Sequence, residues 1–267
     1  MEKTFERNTF KKRLSSMWKT DARRLRVSPL FYIMVAIAFV APILILVMTT
    51  MMDGTVSVNP QTGKETVMEG FDYVWQILGS LSGAEGAQVM DLTTMCNGNL
   101  TYFAIAVFAC VFICADFKSG YAKNLFAVRA KKTEYVISKT LVCSLGGCVM
   151  IAAFVLGAIV GGGVASLPFE TPGFSGFNLL CAVACKMLLV PVFVSVFLTM
   201  SVIAKQKTWL AICLSLCVGA FLFTVVSIAS PLNAGIFHIA TCLIGCVGFA
   251  FGMGAISNAV LKKTSLA

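Results

Sequence analysis

The stretch DFKSGYAKNLFAVRAKKTEYVISK, from Asp116 to Lys139, interrupts a sequence that is almost purely apolar on both sides. Its basic residues are Lys118, Lys123, Arg129, Lys131, Lys132 and Lys139, and its acidic residues are Asp116 and Glu134. Lys and Arg accumulate in the cytoplasmic loops of membrane proteins. A basic stretch between two apolar runs therefore predicts a cytoplasmic loop between two membrane spans.

The composition agrees with a membrane protein. Hydrophobic residues make up 58% of the chain, charged residues only 12%, and the mean hydropathy is +0.88. Soluble domains carry about 25% charged residues. We therefore expect an all-α membrane protein, because helices satisfy their own backbone hydrogen bonds inside the bilayer.

Six apolar runs are long enough to cross a hydrocarbon core of about 30 Å, which takes about 20 helical residues. The candidate spans are Leu30–Met51, Leu100–Phe117, Thr140–Val164, Phe177–Ile203, Trp209–Ala229 and Ile236–Val260. The second span is the shortest. Six spans place the two termini on the same side of the membrane.

The distribution of Lys and Arg among the connections predicts that this side is the cytoplasm. Nine basic residues precede the first span, and further ones occupy alternate connections: the stretch from Asp116 to Lys139, Lys205 and Lys207, and Lys262 and Lys263. The remaining connections hold a single lysine, Lys64, and most of the acidic residues. The sequence therefore predicts that both termini are cytoplasmic.

The predicted organisation has two parts. Residues 1–28 form a cytoplasmic amphipathic helix at the membrane interface, because Phe10, Leu14, Met17 and Trp18 recur at near-helical spacing among basic residues. The alternative is a disordered basic tail. Residues 29–267 form a six-helix transmembrane domain with an external segment at residues 53–99.

Cysteine pairs separated by four residues recur in four spans. The pairs are Cys110/Cys114, Cys181/Cys185, Cys213/Cys217 and Cys242/Cys246. The spacing puts both sulfurs of a pair on one helix face, as a metal site requires. Cysteine is also a small apolar residue that lets membrane helices approach closely, as at Gly157/Gly161 and Gly248/Gly252. We favour packing and expect no metal site.

Lys186 is the one charged residue inside an apolar run. Counted outward from Lys205, it falls near the outer membrane boundary, where its stem would reach water. The alternative is a cation that lines a substrate path.

The sequence contains no set of residues that is typical of an enzyme active site. His238 is the only histidine, and no span contains Asp or Glu well inside it. A metal triad, an aspartate pair and a Ser–His arrangement are all absent, so we expect no catalytic residue and no bound cofactor.

The stretch Asp116–Lys139 combines its basic charge with apolar residues in a helix–turn–helix pattern. A solvated basic loop explains the charge alone. An interface for a cytoplasmic partner also explains the apolar residues Leu125, Phe126, Tyr135 and Ile137.

Here the chain resembles the membrane subunit of an ABC-2-type (type V) ABC transporter. The resemblance rests on the amphipathic leader, the segment SPLFY from Ser28, six spans, a large first external loop, and Gly120, Lys132, Tyr135 and Lys139 in the stretch after the second span. Members of that family have a glycine, typically an arginine, an aromatic residue and a lysine there. Small bacterial permeases that export peptide antibiotics, or confer immunity to them, are particularly similar.

The resemblance implies that residues 116–139 form a cytoplasmic coupling loop, in which Gly120, Leu125, Phe126, Lys132, Tyr135 and Lys139 contact an ATPase. It implies a bacterial plasma-membrane exporter of a peptide, antibiotic or lipid-like substrate. Its partners would be an ATPase dimer that binds ATP and Mg, a second permease copy or sister permease, and membrane lipids, with no nucleic acid. The alternative is an ATP-independent carrier or a substrate-binding membrane subunit.

Overall fold

Long helices dominate the computed structural model, which describes residues 10–58, 65–67, 70–79, 98–128 and 132–263. The helices are α1 (Phe10–Val27), α2 (Pro29–Met52), α3 (Leu100–Lys118), α4 (Tyr121–Val128), α5 (Lys132–Val164), α6 (Gly176–Ala204), α7 (Thr208–Ala229) and α8 (Ile236–Lys263). The helical fold that we predicted for a membrane protein is thereby confirmed. Five of these helices, α2, α3, α5, α6 and α8, are long and apolar enough to cross a membrane.

The fifth candidate span, Trp209–Ala229, coincides with α7. This helix runs over 22 residues and contains no charged residue. Helix α5 contains the predicted span Thr140–Val164 and begins eight residues earlier, at Lys132, because the second half of the basic stretch is helical and continues into it. Residues 129–131 lie outside the described residues.

A single residue separates α1 from α2. Ser28 adopts an extended conformation (φ −75°, ψ 116°), and Pro29 opens α2. Proline disfavours the helical conformation of the residue before it, and its fixed φ suits the first turn of a helix. The chain therefore turns sharply between the leader and the first span.

Helix α6 lies at the centre of the bundle. It packs against α3, α5, α7 and α8, whereas α2 and α1 pack chiefly against α5. Two glycines of α5 permit close contact with α2. A Cβ atom at Gly157 would overlap the Phe39 carbonyl, and one at Gly161 would lie 2.8 Å from the Ile43 Cα. The predicted small-residue packing holds at this pair.

The segment between α2 and α3 covers the ends of α2 and α5. Strand β1 (Val56–Val58) pairs antiparallel with β2 (Glu65–Val67), and a 3-10 helix follows at Val74–Leu78. A second apolar core lies beneath the 3-10 helix; its residues include Leu46, Phe71, Val74, Ile77, Phe154, Ala158 and Leu232. Residues 59–64, 68–69 and 80–97 of this segment lie outside the described residues.

Candidate coupling site

Gly120 separates α3 from the short helix α4. Its φ is +71°, the left-handed conformation that favours glycine, and its carbonyl accepts a hydrogen bond from the Asn124 backbone N–H. This turn lets the chain reverse immediately after the span. Helix α4 then lies at the end of the bundle where the predicted coupling loop begins.

Helix α4 has one packed face and one exposed face. Ala122 is buried, while Leu125 and Phe126 are partly buried against the main apolar core. Lys123, Asn124 and Ala127 are exposed. We call these three residues the α4 surface.

Tyr135 links α4 to the two neighbouring spans. Its ring packs edge-on against Phe126 at 5.3 Å and against Phe117 at 6.4 Å between centroids. Its hydroxyl donates a 3.0 Å hydrogen bond to Asp116 Oδ2, and the side chain is 0% exposed. The sequence predicts that Tyr135 lies on a docking surface. In the structure Tyr135 is instead buried inside the bundle, where its ring supports α4.

Lys132 connects the beginning of α5 with the end of α8. Its Nζ donates a 2.6 Å hydrogen bond to the Leu261 carbonyl oxygen and lies 5.6 Å from the centroid of the Phe126 ring. A lysine near the C-terminal end of a helix satisfies a carbonyl group that has no partner within the helix. The Lys132 side chain therefore joins the predicted coupling loop to the last helix, α8.

Three buried charged residues and the partly exposed Arg24 meet beneath α4. Lys139 Nζ lies 2.8 Å from Asp21 Oδ1 and 2.7 Å from Asp116 Oδ2. Arg24 Nη2 lies 2.6 Å from Asp116 Oδ1 and forms an ion pair with it. We call Asp21, Arg24, Asp116 and Lys139 the charge cluster. Two carboxylates and two cations balance, so the cluster has no net charge.

The charge cluster also has polar and aromatic neighbours. Ser138 Oγ donates a 2.7 Å hydrogen bond to Asp21 Oδ2. Lys139 Nζ lies 4.4 Å from the centroid of the Phe112 ring, and the Arg24 guanidinium lies 4.6 Å from that of Tyr121. Burial lowers the pKa of Arg24, the Asp116 carboxylate raises it, and the net shift is upward. Arg24 therefore keeps its charge beside α4.

The amphipathic leader is thus part of the site. Asp21, Met17 and Leu25 form its buried face, and Arg13 adds a 2.9 Å ion pair with Glu134 on α5. Sequence reasoning predicted the helix but not this attachment. The missed signal is the spacing of Asp21, four residues from Met17 and four from Leu25, which puts an acid on the apolar face.

Lys186 lies inside the bundle, so the expectation that its stem reaches water is wrong. The side chain is 3% exposed, and Nζ donates a 3.2 Å hydrogen bond to Ser230 Oγ at the end of α7. The Lys186 carbonyl accepts a 2.8 Å hydrogen bond from the Tyr102 hydroxyl. Within the described ranges, no carboxylate lies within ion-pair distance of Lys186.

The cysteine pairs differ in how deeply they are buried. Cys110, Cys114, Cys181, Cys185 and Cys242 are buried, whereas Cys213 and Cys217 are exposed. Cys110 Sγ lies 3.1 Å from Ser215 Oγ, which joins α3 to α7. In the part of the chain that the structure describes, no group of three or more His, Cys, Asp or Glu residues is arranged to hold a metal ion. Cys96 lies outside the described residues.

Comparisons of the chain with protein-family models, with curated proteins and with solved structures each returned no match. The described residues join an exposed surface on α4, through Tyr135 and the charge cluster, to α1, α3 and α5. Such a site has no reactive group, but it is suited to receive a partner and to transmit movement.

Proposed function

We propose that the chain is the permease subunit of an ATP-driven exporter of the ABC-2 type. It would lie in the plasma membrane of a bacterium and cross it six times, with α7 as the fifth span and both termini in the cytoplasm. The five long apolar helices and the alternation of basic connections support this topology.

The observation that carries the proposal is the construction of α4. This helix follows the second span directly, presents Lys123, Asn124 and Ala127 to solvent, and rests on Tyr135. A partner that binds the α4 surface would displace Phe126 and Tyr135 together, because their rings are in contact. The hydroxyl of Tyr135 would carry that movement to Asp116 and the charge cluster.

In this mechanism a cytoplasmic ATPase dimer binds ATP and Mg, and the chain itself hydrolyses nothing. Closure of the ATPases would push α4 and bias the bundle between two arrangements, which requires the ATPase to contact α4 differently in each. Movement of α3 and α5 against α6 would open a path between this subunit and a second copy or a sister permease. The substrate would be a peptide, an antibiotic or a lipid-like molecule.

Purification from the native membrane tests the proposal. The tagged chain should bring with it an ATPase that carries a phosphate-binding loop, and the purified complex should hydrolyse ATP. If the chain purifies without any ATPase under conditions that keep it folded, an ATP-independent carrier or a substrate-binding membrane subunit becomes the better assignment.

A further inference from the structure

We propose that α1 and the adjoining turn of α5 form a binding site for an anionic phospholipid. Two surface grooves meet on α1 and share Lys11 and Ser15. One groove is mainly apolar and reaches α5, whereas the other is lined by basic and hydroxyl side chains. The pair matches the two halves of a phospholipid, and the proposal does not depend on ATP-driven transport.

The apolar groove leads onto the outer surface of the bundle. Leu14 and Trp18 on α1 and Leu141 on α5 form its walls. Leu141 is 51% exposed and begins a stripe on α5 that continues through Leu145 and Val149. These residues recur every four positions on an exposed face of a helix that is long and apolar enough to span a membrane, so lipid chains would cover them. An acyl chain in the groove would continue along that stripe.

The polar groove supplies the groups that bind a phosphate. Its lining consists of Lys11, Lys12, Ser15, Ser16, Lys19 and Thr20. Lys11, Ser15 and Lys19 are four residues apart and therefore share one face of α1. Ammonium groups and hydroxyls both donate hydrogen bonds to phosphate oxygens, and basic side chains near a membrane surface attract anionic lipids.

Ion pairs hold α1 in the position that the site needs. Arg13 binds Glu134, and Asp21 binds Lys139, so two points on α1 are fixed to α5. Leu141 lies two residues beyond Lys139, at the place where the ionic contacts give way to the exposed apolar stripe. The site is therefore formed before any lipid binds, which lowers the entropy lost on binding.

The apolar groove identifies the occupant as a lipid. A free phosphate or a soluble phosphorylated molecule would use the lysines and hydroxyls, but it would leave Leu14, Trp18 and Leu141 without a role. A phospholipid uses both grooves at once. An anionic headgroup is favoured over a zwitterionic one, because the shared border of the grooves carries Lys11 and, among the residues that the structure describes, no acidic residue lines either groove.

Fluorescence from Trp18 tests the proposal in the full chain. The variant Trp75→Phe/Trp209→Phe keeps Trp18 as the only tryptophan. It is placed in nanodiscs that contain a fixed small fraction of phosphatidylglycerol or of phosphatidylcholine, brominated on the acyl chains. We expect stronger quenching by the brominated phosphatidylglycerol. Adding Lys11→Gln/Lys19→Gln should reduce that preference by roughly tenfold or more.

Matched controls separate the outcomes. Lys207→Gln/Lys262→Gln removes the same charge from other exposed positions and should leave the preference intact. Equal quenching by the two lipids, or a preference that survives Lys11→Gln/Lys19→Gln, would overturn the proposal. So would reversal of the preference by inorganic phosphate but not by sodium chloride of equal ionic strength, because the occupant would then be free phosphate.

Discussion

Lys139 of α5 and Asp21 of α1 form an ion pair of 2.8 Å in which neither side chain is more than 1% exposed. Asp21 belongs to the leader, and Lys139 lies four residues after Tyr135, which supports α4. The pair therefore attaches an interfacial helix to the segment that we propose receives the ATPase. Movement of α4 would reach α1 through this contact.

Removing Lys139 alone should destabilise the protein strongly. Lys139→Met leaves Asp21 and Asp116 buried, with Arg24 as the one cation within ion-pair distance among the described residues. Breaking one buried ion pair typically costs roughly 3–5 kcal/mol. We expect a clear fall in the midpoint of thermal unfolding of the detergent-solubilised protein.

The double variant Lys139→Met/Asp21→Asn provides the control. It leaves one acid and one base, Asp116 and Arg24, so the charges balance again, and its unfolding midpoint should lie above that of Lys139→Met. If the effects of the two substitutions simply add, the charges do not act as a cluster.

Replacing Lys186 should affect the stability of the protein in the opposite way to replacing Lys139. Its ammonium group is buried with the hydroxyl of Ser230 as its hydrogen-bond partner, and among the described residues no carboxylate lies within ion-pair distance of it. A buried charge without a counter-ion opposes folding. Lys186→Met should therefore keep the unfolding midpoint or raise it. If the lysine serves transport, export by the same variant should fall. A marked loss of stability would show that the Lys186 ammonium group makes a further stabilising contact.

The contact between α2 and α5 can be tested with two glycines. Ala in place of Gly would favour helix formation at either site by up to about 1 kcal/mol. At Gly157 the added methyl group would overlap the Phe39 carbonyl, whereas at Gly248 it would meet nothing within 4 Å. Gly157→Ala should lower the unfolding midpoint and Gly248→Ala should not. Equal effects of the two substitutions would argue against the close contact.

Much of the fold follows from sequence alone, because span length and hydropathy are local properties. The helix Gly176–Ala204 contains the whole predicted span Phe177–Ile203. The described part of the leader, Phe10–Val27, is helical as its apolar spacing predicts, and residues 1–9 lie outside the described residues. The predicted helix–turn–helix is present, but its second helix and the predicted span Thr140–Val164 form one continuous helix, α5. Glu134 and Lys139 find partners on α1 that keep this part of the chain helical.

The candidate site was only partly predictable. Gly120 and Tyr135 stand out by residue type, but hydropathy does not reveal that the Tyr135 ring is enclosed by Phe117 and Phe126. The charge cluster joins residues up to 118 positions apart in the sequence. Such pairings depend on how α1 crosses the bundle, so a single sequence does not show them.

Six spans with a cytoplasmic N-terminus predict which residues an impermeant thiol reagent reaches. In a background without native cysteines, Glu170→Cys should react in intact cells, since Glu170 is exposed between α5 and α6. Lys207→Cys, exposed between α6 and α7, should react only after the membrane is opened. Labelling of both positions from the same side would contradict the topology.

The most direct test of the central claim is whether the α4 surface holds the ATPase. Lys123→Glu/Ala127→Glu changes two exposed residues of α4, and Gln206→Glu/Lys207→Glu makes the same change in charge at exposed residues between α6 and α7. The amount of ATPase that co-purifies with each folded variant is then measured. Our account predicts roughly a tenfold loss or more for the α4 variant, as expected when the centre of an interface is disrupted, and normal retention for the other. Equal retention of the ATPase by the two variants would contradict the account.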